Sequence, residues 1–194
     1  MTALAASPAD VTARAGMAAR IDALDLEPIA FKVMHPEPGQ AAMTLAEADQ
    51  HIAAYRCFLK LCAWYPDEDI VPSREIDQTW HAHILDTGKY AADSTAALGY
   101  FLHHFPYFGM RGDADVTAWQ AACARTRELF RSHFGISLPG EAGEACHNGG
   151  SDCKDSGGSI CSDRECDKSA LDTASDPRPR PDRTAPAAAA PFTA

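Results

Sequence analysis

Apolar positions recur along this chain at helical spacing. Val11, Ala18, Ile21 and Leu24 fall roughly on one side of a helix expected from Pro8 to about Leu24, opened by Ser7 as N-cap with proline in the first turn. Leu26 to Met34 is apolar but carries Pro28, which predicts a short irregular or helical connector. His35-Pro-Glu-Pro-Gly39 reads as a loop. Thr44-Leu-Ala-Glu47 has the form of a capping box, and the helix it opens should run to about Trp64, before Pro66. Ile52, Tyr55, Leu59 and Cys62 should be its core face. Ser73 can cap the next helix. On that helix Ile76, Trp80, His83 and Thr87 form one stripe, and Asp77, His81, Ile84, Leu85 and Gly88 form another. Helical character resumes through Ala91 to Leu98, with Gly99 as a break. A last helix, capped by Asp113 and closed by Gly135, carries Val116, Trp119, Cys123, Thr126 and Phe130 on its core side. The fold class predicted is all-α: a compact domain of four to six helices over residues 8–138, after a disordered 1–7.

The pattern stops after Leu138. Residues 139–194 are rich in Gly, Ser, Asp, Pro and Ala and poor in large apolar side chains, so burial cannot offset ordering and a disordered tail is expected. Arg178-Pro-Arg180-Pro-Asp-Arg183 reads as a solvated, extended end. A net charge of −10 argues against general affinity for nucleic acid or anionic membrane. The first residues lack a basic n-region and an apolar core, and no apolar run reaches the ~20 residues of a membrane span. A cytoplasmic location is therefore expected. There the seven cysteines should mostly be thiols or metal ligands.

Candidate chemistry concentrates between Ile76 and Gly109. Of eight histidines, four lie here: His81, His83, His103 and His104, interleaved with Trp80, Tyr90, Tyr100, Phe101, Phe105, Tyr107 and Phe108. His81 and His83 diverge on a helix and cannot chelate together, whereas Asp77 and His81 are one turn apart and can meet. Adjacent histidines also diverge, so only one of His103 and His104 should join His81. One reading is a metal site: Asp77, His81, His83, His103 and His104 are its candidate ligands, lined by Trp80, Thr87, Tyr90 and Tyr107, and imidazole with carboxylate suits zinc or iron. The other is a polar core network in which the histidines bond Asp77, Asp86, Tyr90 and backbone. The spacing matches no H-E-x-x-H signature, so both readings stand. His35, His51 and His133 read as surface or cap residues, and Cys57, Cys62 and Cys123 as small buried side chains. In the tail, Cys146, Cys153, Cys161 and Cys166 do not follow C-x-x-C spacing. They could still take a soft metal such as copper, or be modified.

Asp77-x-x-Trp80-His81-x-His83-Ile-Leu-Asp86-Thr87, then Tyr90, then Gly99-Tyr-Phe-Leu-His103-His104-Phe-Pro106-Tyr-Phe-Gly109, resembles the glycine-rich domain-containing protein-like family over about Leu26 to Gly135. The resemblance implies a compact helical core and brings no established reaction. Its plant members are linked to development, stress responses and RNA binding, but this chain has neither their long glycine-rich region nor an RNA-recognition motif. The function expected is a binding or accessory protein with a His/Asp pocket for a divalent metal, serving an unknown protein partner or modifying enzyme. A metal-dependent hydrolase or oxygenase using the same pocket is the second expectation, and an adaptor with a structural histidine network the third.

Overall fold

A computed structural model describes residues 8–36, 42–138 and 178–184. Six helices follow in order: α1 (Pro8–Asp22), α2 (Glu27–Met34), α3 (Leu45–Trp64), α4 (Arg74–Leu85), α5 (Thr87–Leu98) and α6 (Asp113–Phe134). Among the described residues there is no strand. The long α3 is central and packs against α1, α2, α4 and α6, while α4 packs against α2, α3 and α5.

Local signals place most boundaries. Thr44 closes the expected capping box: its hydroxyl accepts the Glu47 amide, and the Glu47 carboxylate accepts the Thr44 amide at 2.8 Å. Ser73 caps α4 by accepting from the Ile76 amide. Gly99 and Gly135 end α5 and α6 at φ 85° and 67°, in the left-handed region that a Cβ disfavours. The connector with Pro28 is a true helix, because proline in the first turn displaces no hydrogen bond that a helix would make there.

Three expectations are corrected. The helix through His83 does not continue to Thr87 and Gly88: Asp86 is at once the C-cap of α4 and the N-cap of α5. Gly112, not Asp113, is the N-cap of α6. Val11 is 57% exposed, so the buried side of α1 begins only further along, at Met17, Ala18 and Ile21.

The core gathers Ile21, Leu26 and Ile29 around Tyr55, Phe58 and Leu61 of α3, and closes with Ile76, Trp80, Leu129 and Phe130. Polar ties set how the helices cross. Arg56 of α3 donates to the carbonyls of Ile21, Asp22 and Leu24, answering the open carbonyls at the end of α1. Trp64 Nε1 donates to the Arg14 carbonyl at 3.1 Å. Cys57 and Cys62 are free, and burial pushes both thiols up. Cys123 is buried as expected but disulfide-bonded.

The segment 178–184 departs from the solvated end that its composition suggests. It has no regular secondary structure, with bends at Arg183 and Thr184, and it lies on the helical domain: Arg178 pairs with Asp86, Arg180 with Asp25, and Arg183 with both Glu27 and Asp49, while Pro181 is buried. The remaining tail, with Cys146, Cys153, Cys161 and Cys166, and the expected disorder of 1–7 fall outside the described residues.

Candidate metal centre

Helix α4 presents two chemistries on two sides. Its inner stripe, Ile76, Trp80 and His83, is buried, as the spacing predicts. Its outer side carries Asp77 and His81 one turn apart, with His81 Nε2 3.7 Å from Asp77 Oδ2. The second pair of histidines splits as expected. His104 turns toward α4, with its Nε2 3.0 Å from His81 Nε2 and 3.1 Å from Asp77 Oδ1. His103 turns away and packs on Phe101, ring centres 4.8 Å apart. Asp77, His81 and His104 thus bring one ligand atom each within 4.8 Å of the others.

His104 is held by its surroundings rather than by its own chain direction. It sits on a connector between α5 and α6 and packs against Trp80 with the rings tilted at 59°, ring centres 4.7 Å apart. Two residues before it, Leu102 is held at both backbone groups. Its amide donates to Ser94 Oγ at 2.9 Å, and its carbonyl accepts from the Tyr90 hydroxyl. Tyr90 in turn accepts from Trp80 Nε1 at 2.9 Å. Past His104 the connector is fixed by α6. Asp115 accepts the Gly109 amide at 2.7 Å and the Arg111 amide at 3.1 Å, and pairs with the Arg111 guanidinium. The Arg111 side chain, followed by the two amides, holds the Asp115 carboxyl down at about 2. Gly109 adopts φ 85° directly over Trp119, where an added Cβ would meet the indole at 2.9 Å. The two halves of α4–α5 and the start of α6 therefore jointly aim one imidazole.

The donor set fits a cation. Ligands bound at about 2.1 Å lie about 3.0 Å apart when cis in an octahedron and about 3.4 Å apart in a tetrahedron. Here His104 Nε2 lies 3.0 Å from His81 Nε2 and 3.1 Å from Asp77 Oδ1, His81 Nε2 lies 3.7 Å from the other carboxylate oxygen, Oδ2, and one atom from each residue lies within 4.8 Å of the others. A ring nitrogen carries one proton or one lone pair. The two short contacts at His104 Nε2 therefore cannot both be well-aligned hydrogen bonds of a single proton. A cation among the three donors would satisfy all of them together. The side chains of His81, Asp77 and His104 are 53%, 37% and 21% exposed, so solvent or a small molecule can reach the point they share.

His83, also a candidate ligand by sequence, belongs to a different assembly. It is 1% exposed. Its Nδ1 is 3.0 Å from the Tyr55 hydroxyl, and its Nε2 is 3.1 Å from Asp93 Oδ2. The tautomer that satisfies both has Tyr55 donating to Nδ1 and Nε2–H donating to Asp93. Lys89 completes the group at 2.7 Å from Asp93. Burial works to raise the Asp93 carboxyl, but the hydrogen bonds from His83 and Lys89 and their charges outweigh it and hold it below its ordinary value. Burial also pushes the Tyr55 hydroxyl well up, which keeps it a donor. Sequence reasoning missed Tyr55, Lys89 and Asp93 as partners. A tyrosine on a core stripe, whose hydroxyl needs a partner, was the available signal. Of the expected lining residues, Trp80 borders the triad and Tyr90 stands buried behind it. Thr87 and Tyr107 are exposed. His35 caps α2, with Nδ1 2.8 Å from the Phe31 carbonyl, and His133 is an exposed partner of Tyr65. His51 is half-buried, with its Nδ1 enclosed.

Fold and site together define an all-helical protein with a surface Asp/His donor cluster beside a buried histidine network. The chain belongs to the UCP032817-like family, whose family model matches residues 18–130, a span holding both histidine assemblies and most of α6. That match carries no link to glycine-rich domain proteins. No curated protein and no solved structure matches the chain. Among the described residues no helix is long and apolar enough to cross a membrane.

Proposed function

We propose that Asp77, His81 and His104 bind one divalent transition metal ion, zinc or iron, and that the protein is a metal-binding accessory protein of the cytoplasm. The observation that carries this reading is the convergence of two imidazole nitrogens and a carboxylate oxygen within 4.8 Å on a solvent-facing surface. Two imidazoles and one carboxylate suit either ion and leave coordination positions open. The tail cysteines Cys146, Cys153, Cys161 and Cys166 enter the proposal as a second, softer capture site for copper, or as the target of a modifying enzyme. The kinship with glycine-rich domain-containing proteins is likewise kept as a proposal.

A second reading makes the same centre an enzyme, a metal-dependent hydrolase or oxygenase. It draws on the open positions and on the connector that carries His104, where Phe101, Phe105, Tyr107 and Met110 are 43–58% exposed. Those side chains offer an apolar surface on the connector.

The test is elemental analysis by mass spectrometry of the full-length chain, purified without chelator under reducing conditions, against Asp77→Ala/His104→Ala. One equivalent of metal in the wild type and its loss in the variant is the expected result. Metal retained at full stoichiometry by the variant would remove the triad as the site.

A further inference from the structure

Three arginines spaced along one short segment each find carboxylates on a different part of the domain. Arg178 grips Asp86, at the joint of α4 and α5, through Nε and NH2, the latter at 2.8 Å. Arg180 grips Asp25, just before α2, through both terminal nitrogens, one at 3.0 Å. Arg183 places Nε and NH2 on the Glu27 carboxylate, both at 2.8 Å, and NH1 and NH2 on Asp49 of α3, at 3.1 and 2.9 Å. All four pairs are two-point contacts between a planar guanidinium and a carboxylate, the geometry that raises an exposed ion pair above its usual small value. Pro179 separates Arg178 from Arg180, and Pro181 lies between Arg180 and Arg183; the two rings restrict the backbone before it binds, so less freedom is lost on docking. Pro181 is buried, which adds an apolar contact between the charged ones. The segment roofs a cleft of about 330 Å³, bordered below by Lys89 and Asp93 and above by Arg178 and Arg180. The hydrogen bond from Arg178, against a smaller effect of burial, holds the Asp86 carboxyl below its ordinary range.

We infer that the acidic strip formed by Asp25, Glu27, Asp49 and Asp86 is a recognition site for an arginine–proline peptide, and that residues 178–184 are its resident occupant. A second such peptide from another molecule competes for the strip. The tethered segment holds it against that competitor through its high effective concentration. The site stands apart from the metal triad and does not depend on it.

A fluorescent peptide of residues 178–184 titrated into the full-length chain by anisotropy tests this. Binding to Arg178→Gln/Arg180→Gln/Arg183→Gln is expected to be at least about 10-fold tighter than to the wild type, because the strip is vacated. Adding Asp25→Asn and Asp86→Asn to that variant should remove the gain. Equal affinity for wild type and triple variant overturns the inference, as does binding to neither. A peptide of the same composition in scrambled order that binds the triple variant equally well also overturns it, since charge alone would then suffice. Should the triple variant lose its helical circular dichroism, Arg178→Gln alone serves, with a gain of at least about 3-fold expected and no gain overturning the inference.

Discussion

His81 and His83 are two residues apart on one helix and do opposite work. His83 points inward, is 1% exposed, and has both ring nitrogens engaged, by Tyr55 and Asp93. His81 points outward, with its Nε2 3.0 Å from His104 Nε2 and 3.7 Å from an oxygen of Asp77. The difference teaches how to weigh a histidine-rich helix. An imidazole with both nitrogens satisfied inside the protein is a structural part. One that meets a second imidazole and a carboxylate at a surface is a candidate ligand.

The largest expected effect is on the inner side. His83→Ala leaves the Tyr55 hydroxyl and the Asp93 carboxylate short of a partner in a dry setting, and should cost about 2–4 kcal/mol in urea unfolding. A loss below about 1 kcal/mol would erase the distinction between the two histidines.

On the outer side the expectation is inverted. Asp77→Ala should weaken zinc binding by at least about 10-fold in a competition titration while shifting unfolding by no more than about 0.5 kcal/mol. Unchanged affinity would sink the assignment of Asp77, and a large stability loss would make the outer cluster structural too.

Acid sharpens the comparison further. Because Asp93 is depressed in the folded state, its contribution is complete above its unfolded value of about 3.9 and fades as pH falls through the lower folded value. Stability of the wild type should therefore drop below about pH 4 more steeply than that of Asp93→Asn. Parallel stability curves for the two chains between about pH 3 and 7 would show Asp93 disengaged from the network.

The smallest effect is expected from Trp80→Phe, which removes the Nε1 donor to Tyr90 at the boundary between the two sides. A loss of about 1 kcal/mol is expected, with a weaker secondary effect on zinc affinity through the placement of His104. A zinc affinity reduced as much as by Asp77→Ala would mean that Trp80 matters to the site as much as a triad member does.

Much of this was legible in the sequence because it is local. The Thr44–Glu47 box, Ser73, Gly99 and Gly135 mark helix ends through interactions within a few residues, and the divergence of His81 from His83 follows from helix geometry alone. What stayed hidden is long-range. Whether His103 or His104 joins the triad depends on Tyr90 and Ser94 holding Leu102, and on Asp115 and Trp119 holding the chain beyond. The choice of Asp93 for His83 depends on how α5 packs against α4, which the turn at Asp86 decides. The docking of 178–184 was equally out of reach. Its composition is that of a free end, and only the carboxylates brought together from α2, α3 and the α4–α5 joint give it a place to lie.

The clasp of Gly109 over Trp119 bears on time as well as place. Asp77 and His81 share a stiff helix and keep their separation, whereas His104 rides a connector pinned beyond it by that glycine and by Asp115. An ion held by the three donors would enter and leave as the connector lifts and resettles. Its residence time would then depend on how firmly the connector is held, by the indole and glycine among other contacts, as well as on the nitrogen donors. A chain with Gly109→Ala would trade ions faster at little change in which ion it prefers.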